Sequence, residues 1–260
     1  MLERRTLPNG VAFLFSARLE SDGFSVAFTE RTGGKSDGSF ASLNLGFGSG
    51  DRADRVVENR RVAASALGLD VFAVGRQVHG ARQLRVGSKG AGAGFLDRFD
   101  AAGEADSLVT TSKRVGLAVL AADCVPVALT DARAGRMAVV HAGWRGIAAG
   151  VVPAALKPFS DRGAVRAVIG PCVGPDHYEV DQEVAFSVSA AAEGGAVLRR
   201  AVGSKFLLDL SGTVARILKE HGVRHVERAE ACTACEPERF FSHRRDGRTG
   251  RQALIAVRLD

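Results

Sequence analysis

The chain reads as a mixed α/β (α+β) protein, one domain over residues 1–260 in which helices pack on a mixed β-sheet. Three observations carry that reading. Short apolar runs recur along the whole chain, bounded by glycine and other turn residues, as strands do. A smaller number of segments, DRADRVVENRRVAASALGL at 51–69 and DLSGTVARILKEHG at 209–222 among them, carry apolar residues at helical spacing. Strands and helices do not alternate in a strict βαβ rhythm, and several neighbouring strands are joined too briefly for a parallel crossover, so part of the sheet is antiparallel.

The elements follow in order. GVAFLFSAR from Gly10 and FSVAFTE from Phe24 are strand-like, and a glycine- and serine-rich loop runs from Arg31 to Gly46, a length that usually serves function or motion. Val56, Val57, Arg60, Ala63, Ala64 and Leu67 predict a helix from Asp54 to Leu67, capped by Asp51 or Asp54. VFAVGRQVHG and ARQLRVG return to strand, then come a Gly/Ala stretch at 87–94 and the strand SLVTT. GLAVLAAD and VPVALTD, on either side of Cys124, are too continuously apolar for exposed strands and fit buried sheet. RMAVVHAG is the next strand, and a helix opens at WRGIAAGVVPAALKPF, kinked at Pro153 unless that proline starts a second segment. The strand AVRAVIGP, the helix DQEVAFSVSAA, a helix capped near Asp209 or Ser211, and the strands VRHVERAE and ALIAVRL complete the pattern.

With 46% hydrophobic and 25% charged residues, the chain falls outside the disordered and fibrous classes. No apolar run follows Glu3, Arg4 and Arg5 as a signal peptide requires, and no membrane-length stretch occurs, so the expectation is a cytoplasmic protein without a membrane partner. Four cysteines, at 124, 172, 232 and 235, are too scattered for a disulfide scaffold and read as reduced thiols or metal ligands. The net charge of +6 suits an anionic substrate, but the arginines are dispersed and no stacking segment is present, so nucleic acid is not the expected partner. No GxGxxG follows the first strand and no GxxxxGK[ST] occurs, which disfavours dinucleotide and P-loop binding. A monomer is the simpler expectation.

The chemistry-bearing residues sit where apolar strands give way to small residues: QVHG at 77–80, ADC at 122–124 and HAGWRG at 141–146. Imidazole and thiolate together suit Zn²⁺, and three protein ligands with an open fourth position describe a catalytic zinc. His79, Cys124 and His141 would form such a His₂Cys site. Taken singly, each has a plainer explanation, a satisfied polar residue at a strand end or a small buried hydrophobe, and spacing alone does not join them.

The strings FTERTGGKSDGSFASLNLG, ENRR, RQVHG, AADCVPVAL, VHAGWRG, IGPCVGPDHYEV and CTACEPERFFSHRRDGRTGRQ resemble, in order and over nearly the whole chain, the YfiH-type family, long labelled multicopper polyphenol oxidase or laccase-like. The resemblance implies a single α/β domain that binds zinc through the residues matching His79, Cys124 and His141. It also implies phosphorolysis of adenosine, inosine and 5′-methylthioadenosine, with adenosine deamination as a companion activity; the partners are then a purine nucleoside and phosphate. Deamination calls for an activated water and phosphorolysis for cationic donors around phosphate. Within family-like motifs, Arg31, Arg60 and Arg145 are candidates for phosphate or ribose, Ser42 and Asn44 for hydroxyl or amide contacts, and Cys124, Asp123 and Arg60 for catalysis. Asp123 either transfers protons or orients a zinc ligand, with a turn-capping carboxylate as the plainer alternative.

CTAC, Cys232 to Cys235, is by spacing a redox pair, half of a structural zinc site, or packing, and FFSHRRDG adds Arg244 and Arg245 as anion candidates. Two departures from the family pattern stand out: His243 where tyrosine is common, and Asp176-His177 where small residues or cysteine often stand. Copper is the less favoured metal, because six histidines without HxH pairs cannot furnish a multicopper centre. Rival readings are a Cys124/His141 hydrolase, a cell-wall precursor editing hydrolase, and a non-enzymatic nucleotide-binding protein in which Cys172 or His177 completes a closed metal site.

Overall fold

The computed structural model describes residues 2–259. Among them the strands are β1 (Glu3–Thr6), β2 (Ala12–Phe15), β3 (Phe24–Thr29), β4 (Phe72–Val74), β5 (Gln83–Arg85), β6 (Ser107–Thr110), β7 (Gly116–Ala121), β8 (Val125–Asp131), β9 (Arg136–Ala142), β10 (Arg166–Ile169), β11 (Glu179–Val180), β12 (Val197–Arg200), β13 (Phe206–Asp209), β14 (His225–Arg228) and β15 (Gln252–Arg258). The α-helices are α1 (Ala17–Ser21), α2 (Ala53–Ser65), α3 (Trp144–Ala148), α4 (Val151–Leu156), α5 (Gln182–Ser189), α6 (Leu210–Glu220) and α7 (His243–Asp246). No described helix is long and apolar enough to cross a membrane.

The mixed α/β class is as the sequence predicts, but the strands divide among three sheets where one was expected. The first sheet runs β1-β2-β3-β15-β7-β4, the second β14-β10-β8-β9-β6-β5, and a small third β11-β13-β12. Both large sheets are mixed, with β4 parallel to β7 in the first and β5 parallel to β6 in the second. They pack face to face: Val26, Phe28, Val119 and Leu254 of the first meet Met137, Val139 and Val168 of the second. On the far side of the second sheet, Val127, Val140 and Ile169 pack against Ile147, Leu156, Val214 and Leu218 of the helices. The far side of the first sheet, including Ala27 and Ile255, is covered by Ala63 and Ala64 of α2 and by Leu43 and Leu45.

That layering explains the continuous apolar runs around Cys124. Every residue of β8 is buried because β8 has helices on one face and a sheet on the other. Although β7 and β8 are consecutive, they belong to different sheets, so Ala122, Asp123 and Cys124 carry the chain across the sandwich. Asp123 makes the crossing with φ of 96°, a left-handed conformation uncommon outside glycine.

Boundaries differ locally. α2 begins at Ala53 and ends at Ser65; Arg52 stands at the cap position and makes no capping bond, while Asp51 accepts from the Arg52 N–H through one oxygen and from the Ser36 hydroxyl and the Asn44 amide through the other. The WRG segment resolves into α3 and α4, separated at Gly150, so Pro153 lies in the first turn of the second helix, where no helical N–H partner is needed. Asp209 caps α6 by accepting from the Gly212 N–H at 2.7 Å.

Candidate metal centre and its cavity

His141 occupies the penultimate position of β9 and, by the two-residue period of the strand, shares the inter-sheet face of Met137 and Val139. It is buried, and its Nδ1 lies 2.8 Å from Oδ1 of Asp106, which is itself fully buried just before β6. The same carboxylate accepts from the backbone N–H groups of Val78, His79 and Gly80 at 3.1, 3.0 and 2.8 Å. One buried acid therefore orients one imidazole directly and shapes the loop bearing the other. Gln77 fastens that loop to β7 by a reciprocal pair of 2.8 Å bonds with the Leu120 backbone. His79 takes φ of 59°, and strained backbone of this kind concentrates at functional sites.

His79, Cys124 and His141 converge, their donor atoms all within 4.8 Å of one another, with Cys124 Sγ 3.9 Å from His79 Nε2. The two imidazole rings meet edge to face with centroids 4.8 Å apart. Among the described residues this group has three donors; Cys172 and His177 are not part of it. Gly143 of HAG permits the convergence, since a Cβ there would lie 2.9 Å from both Cys124 Sγ and His79 Cδ2.

The electrostatics are those of a ligand set. Burial works against the Cys124 thiolate, but His141 and His79 outweigh it and bring the thiol down to about 6. Burial likewise works against the His141 cation, yet Cys124 and Asp106 push its pKa up to about 9. Asp106 is held below the usual carboxylate range: burial opposes its charge, and the bonds from His141 and the Gly80 and Val78 amides overcome that. With Nδ1 of His141 turned to Asp106, Nε2 is left for a metal, the familiar carboxylate–histidine–metal relay.

The three donors line a cavity of about 1210 Å³. Six arginines line it as well: Arg60, Arg76, Arg98, Arg145, Arg244 and Arg251. Four of them lie over aromatic rings: Arg60 on Phe47 at 4.4 Å, Arg98 on Phe99 at 4.7 Å, Arg145 on Trp144 at 4.4 Å and Arg244 on Tyr178 at 4.8 Å. Burial lowers the Arg60 pKa to about 10, which still leaves it a cation at neutral pH. Burial also depresses Arg251, against the opposing pull of Cys124 and Asp123.

The other sequence candidates separate by location. Arg145 is exposed on the cavity wall, and Arg60 reaches the cavity while donating to the carbonyls of Leu45, Gly94 and Phe95. Asp123 lines the cavity, but its two oxygens accept from the Thr233 hydroxyl and the Arg244 N–H, both at 2.6 Å, so it ties the C-terminal loop to the sheet crossing. Arg31, Ser42 and Asn44 do not line the cavity. Arg31 donates to the carbonyls of Ala41 and Pro237, Ser42 bonds Arg31 O and Gly34 N, and the buried Asn44 amide ties Ser49 and Asp51 to Gly46 and Arg251. Those side chains build the 31–46 loop. Arg244 lines the cavity while its Nη1 donates to the Glu179 carbonyl at 3.0 Å, whereas the Arg245 guanidinium is turned to the carbonyls of Thr233, Ala234 and Phe240 and to Asp246.

Sequence reasoning missed Asp106, Arg76, Arg98 and Arg251. For Asp106 a signal existed: ADSLVTT sets a carboxylate directly before a buried strand, a place where an acid needs partners. Arg98 stands in a turn and carries no local mark, whereas Arg76 and Arg251 lie within RQVHG and GRTGRQ, parts of family-like strings in which other residues were singled out.

Fold and site together define a class: a sheet-on-sheet α/β protein with a His₂Cys group able to hold a metal ion on the wall of a cavity lined by arginines and aromatic rings. The family model described as multi-copper polyphenol oxidoreductase laccase matches residues 25–258, and the chain belongs to that family, the YfiH-type proteins. It is 37% identical to "Purine nucleoside phosphorylase YlmD" of Geobacillus stearothermophilus over 250 residues, 92% of this chain and 91% of the relative. It is 40% identical to "Purine nucleoside phosphorylase Rv2149c" of Mycobacterium tuberculosis over 233 residues, 87% and 89% of the two chains. The crystal structure of YlmD from Geobacillus stearothermophilus superposes with a TM-score of 0.91 at 35% identity, covering 95% of this chain and 96% of that one. Neisseria meningitidis protein NMB0706 superposes with a TM-score of 0.82 at 31% identity, covering 95% and 99%.

Proposed function

We propose that the protein is a zinc-dependent purine nucleoside phosphorylase acting on adenosine, inosine and 5′-methylthioadenosine, with adenosine deamination as a companion activity. The observation that carries this reading is the His79/Cys124/His141 group on the wall of a cavity whose cations alternate with aromatic faces. Relatives at 37% and 40% identity bear the name purine nucleoside phosphorylase, which supports the same class of reaction here.

The donor set fits zinc. One thiolate and two imidazoles are borderline-soft ligands, one of them oriented by a buried carboxylate, and three protein donors leave a position open to substrate. When bound, zinc supplies Lewis acidity that serves phosphate in phosphorolysis and water in deamination.

The chain's own residues do the rest. Phosphorolysis forms a bond between a phosphate oxygen and C1′ while the glycosidic C–N electron pair leaves with the base, so phosphate must be held and its charge balanced. Arg145, exposed on the cavity wall, and Arg98 and Arg244, each with its guanidinium over a ring of the cavity lining, are the residues for phosphate. Arg60, its Nε and Nη1 already donating to carbonyls, contributes positive potential. Phe47, Phe99 and Trp144 offer flat faces to the purine. Asp123 positions Arg244 and Thr233, Ser42 and Asn44 hold the 31–46 loop, and Arg31 ties that loop to the C-terminal segment.

The test incubates the purified protein with adenosine or inosine, with and without phosphate, and follows free base and sugar 1-phosphate, alongside elemental analysis. Expected are stoichiometric zinc, phosphate-dependent base release, inosine from adenosine without phosphate, and loss of metal and activity in Cys124→Ala. Arg145→Ala is expected to raise the phosphate KM roughly tenfold or more, the worth of one charge-assisted hydrogen bond. Base release that ignores phosphate, or stoichiometric copper with oxidation of phenols, would overturn the proposal.

A further inference from the structure

Outside the cavity, the described residues hold a second group of metal-ligating side chains. His177, Cys232 and Cys235 bring one donor atom each to within 4.8 Å of one another. The two thiols belong to the CTAC turn, which closes on itself through the Cys235 and Glu236 N–H groups, both donating to the Cys232 carbonyl at 3.2 Å. His177 ends a short turn, Pro175–His177, brought alongside by the backbone pairing of Cys172 with Cys232.

The surroundings of Cys232 are those of a ligand sulfur. The Gly174 N–H donates to Cys232 Sγ at 3.1 Å, a bond that orients the sulfur toward its neighbours. That approach depends on glycine, because a Cβ at 174 would stand 3.0 Å from the sulfur. His177 and Cys235 are exposed and Cys232 is half-buried, so an ion can enter from solvent. With metal–sulfur bonds of about 2.3 Å and metal–nitrogen bonds of about 2.0–2.1 Å, tetrahedral donors stand roughly 3.4–3.8 Å apart, so side-chain rotation of about an ångström closes the group.

We propose that His177, Cys232 and Cys235 form a second site for a borderline divalent cation of the zinc type. Its effect is mechanical. The ion joins the turn leading into Tyr178, on the cavity wall, to the CTAC turn, whose Thr233 hydroxyl holds Asp123 beside Cys124. His177 supplies the nitrogen donor beside the CxxC pair.

The test uses the full chain, reduced and stripped with chelator, then titrated with Zn²⁺ against a chromophoric competitor and separately with Co²⁺. Wild type is expected to take up two equivalents; Cys235→Ser takes up one, and Cys124→Ala loses only the other. Sulfur-to-cobalt charge-transfer absorption arises from three thiolates in wild type, so it falls about threefold in Cys232→Ser/Cys235→Ser. Should the cysteine variants fail to fold, His177→Ala, a change at an exposed side chain, is expected to weaken the second equivalent roughly 100-fold or more. Equal uptake by wild type and the His177→Ala and Cys235→Ser variants overturns the proposal. So does a single equivalent that vanishes with Cys124→Ala, or a Cys232–Cys235 disulfide whose reduction confers no metal uptake. Because the two equivalents are read separately, failure of the cavity's zinc and failure of this site are distinguishable.

Discussion

Asp106→Asn is the sharpest probe of the proposed metal centre. The aspartate accepts four hydrogen bonds on two oxygens, from the N–H groups of Val78, His79 and Gly80 and from His141 Nδ1. Asparagine has one oxygen. If that oxygen keeps the Val78 and Gly80 amides, its NH₂ faces the His79 N–H and His141, leaving one backbone donor unpaired and driving the His141 proton to Nε2, the atom a metal needs. Two lost bonds to a charged group, at about 1.5–3 kcal/mol each, imply destabilisation of roughly 3–6 kcal/mol before relaxation. Zinc affinity should fall about 10–100-fold, as when the partner of a ligand histidine is removed. The assay is a competition titration with a chromophoric chelator, together with thermal melts of the metal-free protein, so that folding and metal affinity are read apart. An Asp106→Asn variant that keeps wild-type zinc affinity and wild-type metal-free stability would show that the carboxylate neither orients the ligands nor shapes the loop.

Gly143→Ala places a methyl 2.9 Å from Cys124 Sγ and His79 Cδ2, so metal content is expected to drop while circular dichroism stays native; full zinc occupancy would refute the steric argument. Arg31→Ala removes bonds to Ala41 and Pro237 and the stack on Phe241, and should cost about 1–3 kcal/mol in urea unfolding. Its phosphate KM should stay at the wild-type value, since Arg31 is off the cavity; a rise matching that of Arg145→Ala would restore it as a phosphate ligand. Glu30 is a buried carboxylate between Arg4 and Arg239; burial raises its pKa, but both guanidiniums overcome this and hold it below 4.5. A depressed carboxylate pKa contributes stability above its unfolded value and loses it as pH falls through the folded one. Glu30→Gln should therefore cost about 1.5–3 kcal/mol at neutral pH, with the gap to wild type narrowing only below about 4.5; a pH-independent gap would contradict the ion-pair account.

Strand and helix periods are local, so the sequence carried the α/β class, most strand positions and an interruption near Pro153, which falls at Gly150 between α3 and α4. It also marked His79, Cys124 and His141 as polar residues at strand ends, and resemblance joined them into one group. Tertiary structure decided what each end faces. Continuous apolar content says that β7 and β8 are buried on both faces, yet cannot tell a hairpin within one sheet from a crossing between two, since both bury the same residues. The pairing of β8 with β9 brings Cys124 close to His141, and β6, paired with β9 on one side and β5 on the other, brings Asp106 to both histidine-bearing segments. For the arginines the limit is sharper. A guanidinium satisfies backbone carbonyls as readily as phosphate, so Arg31 and Arg245 tie loops together while Arg145 and Arg244 face the cavity, a division set by contacts distant in sequence.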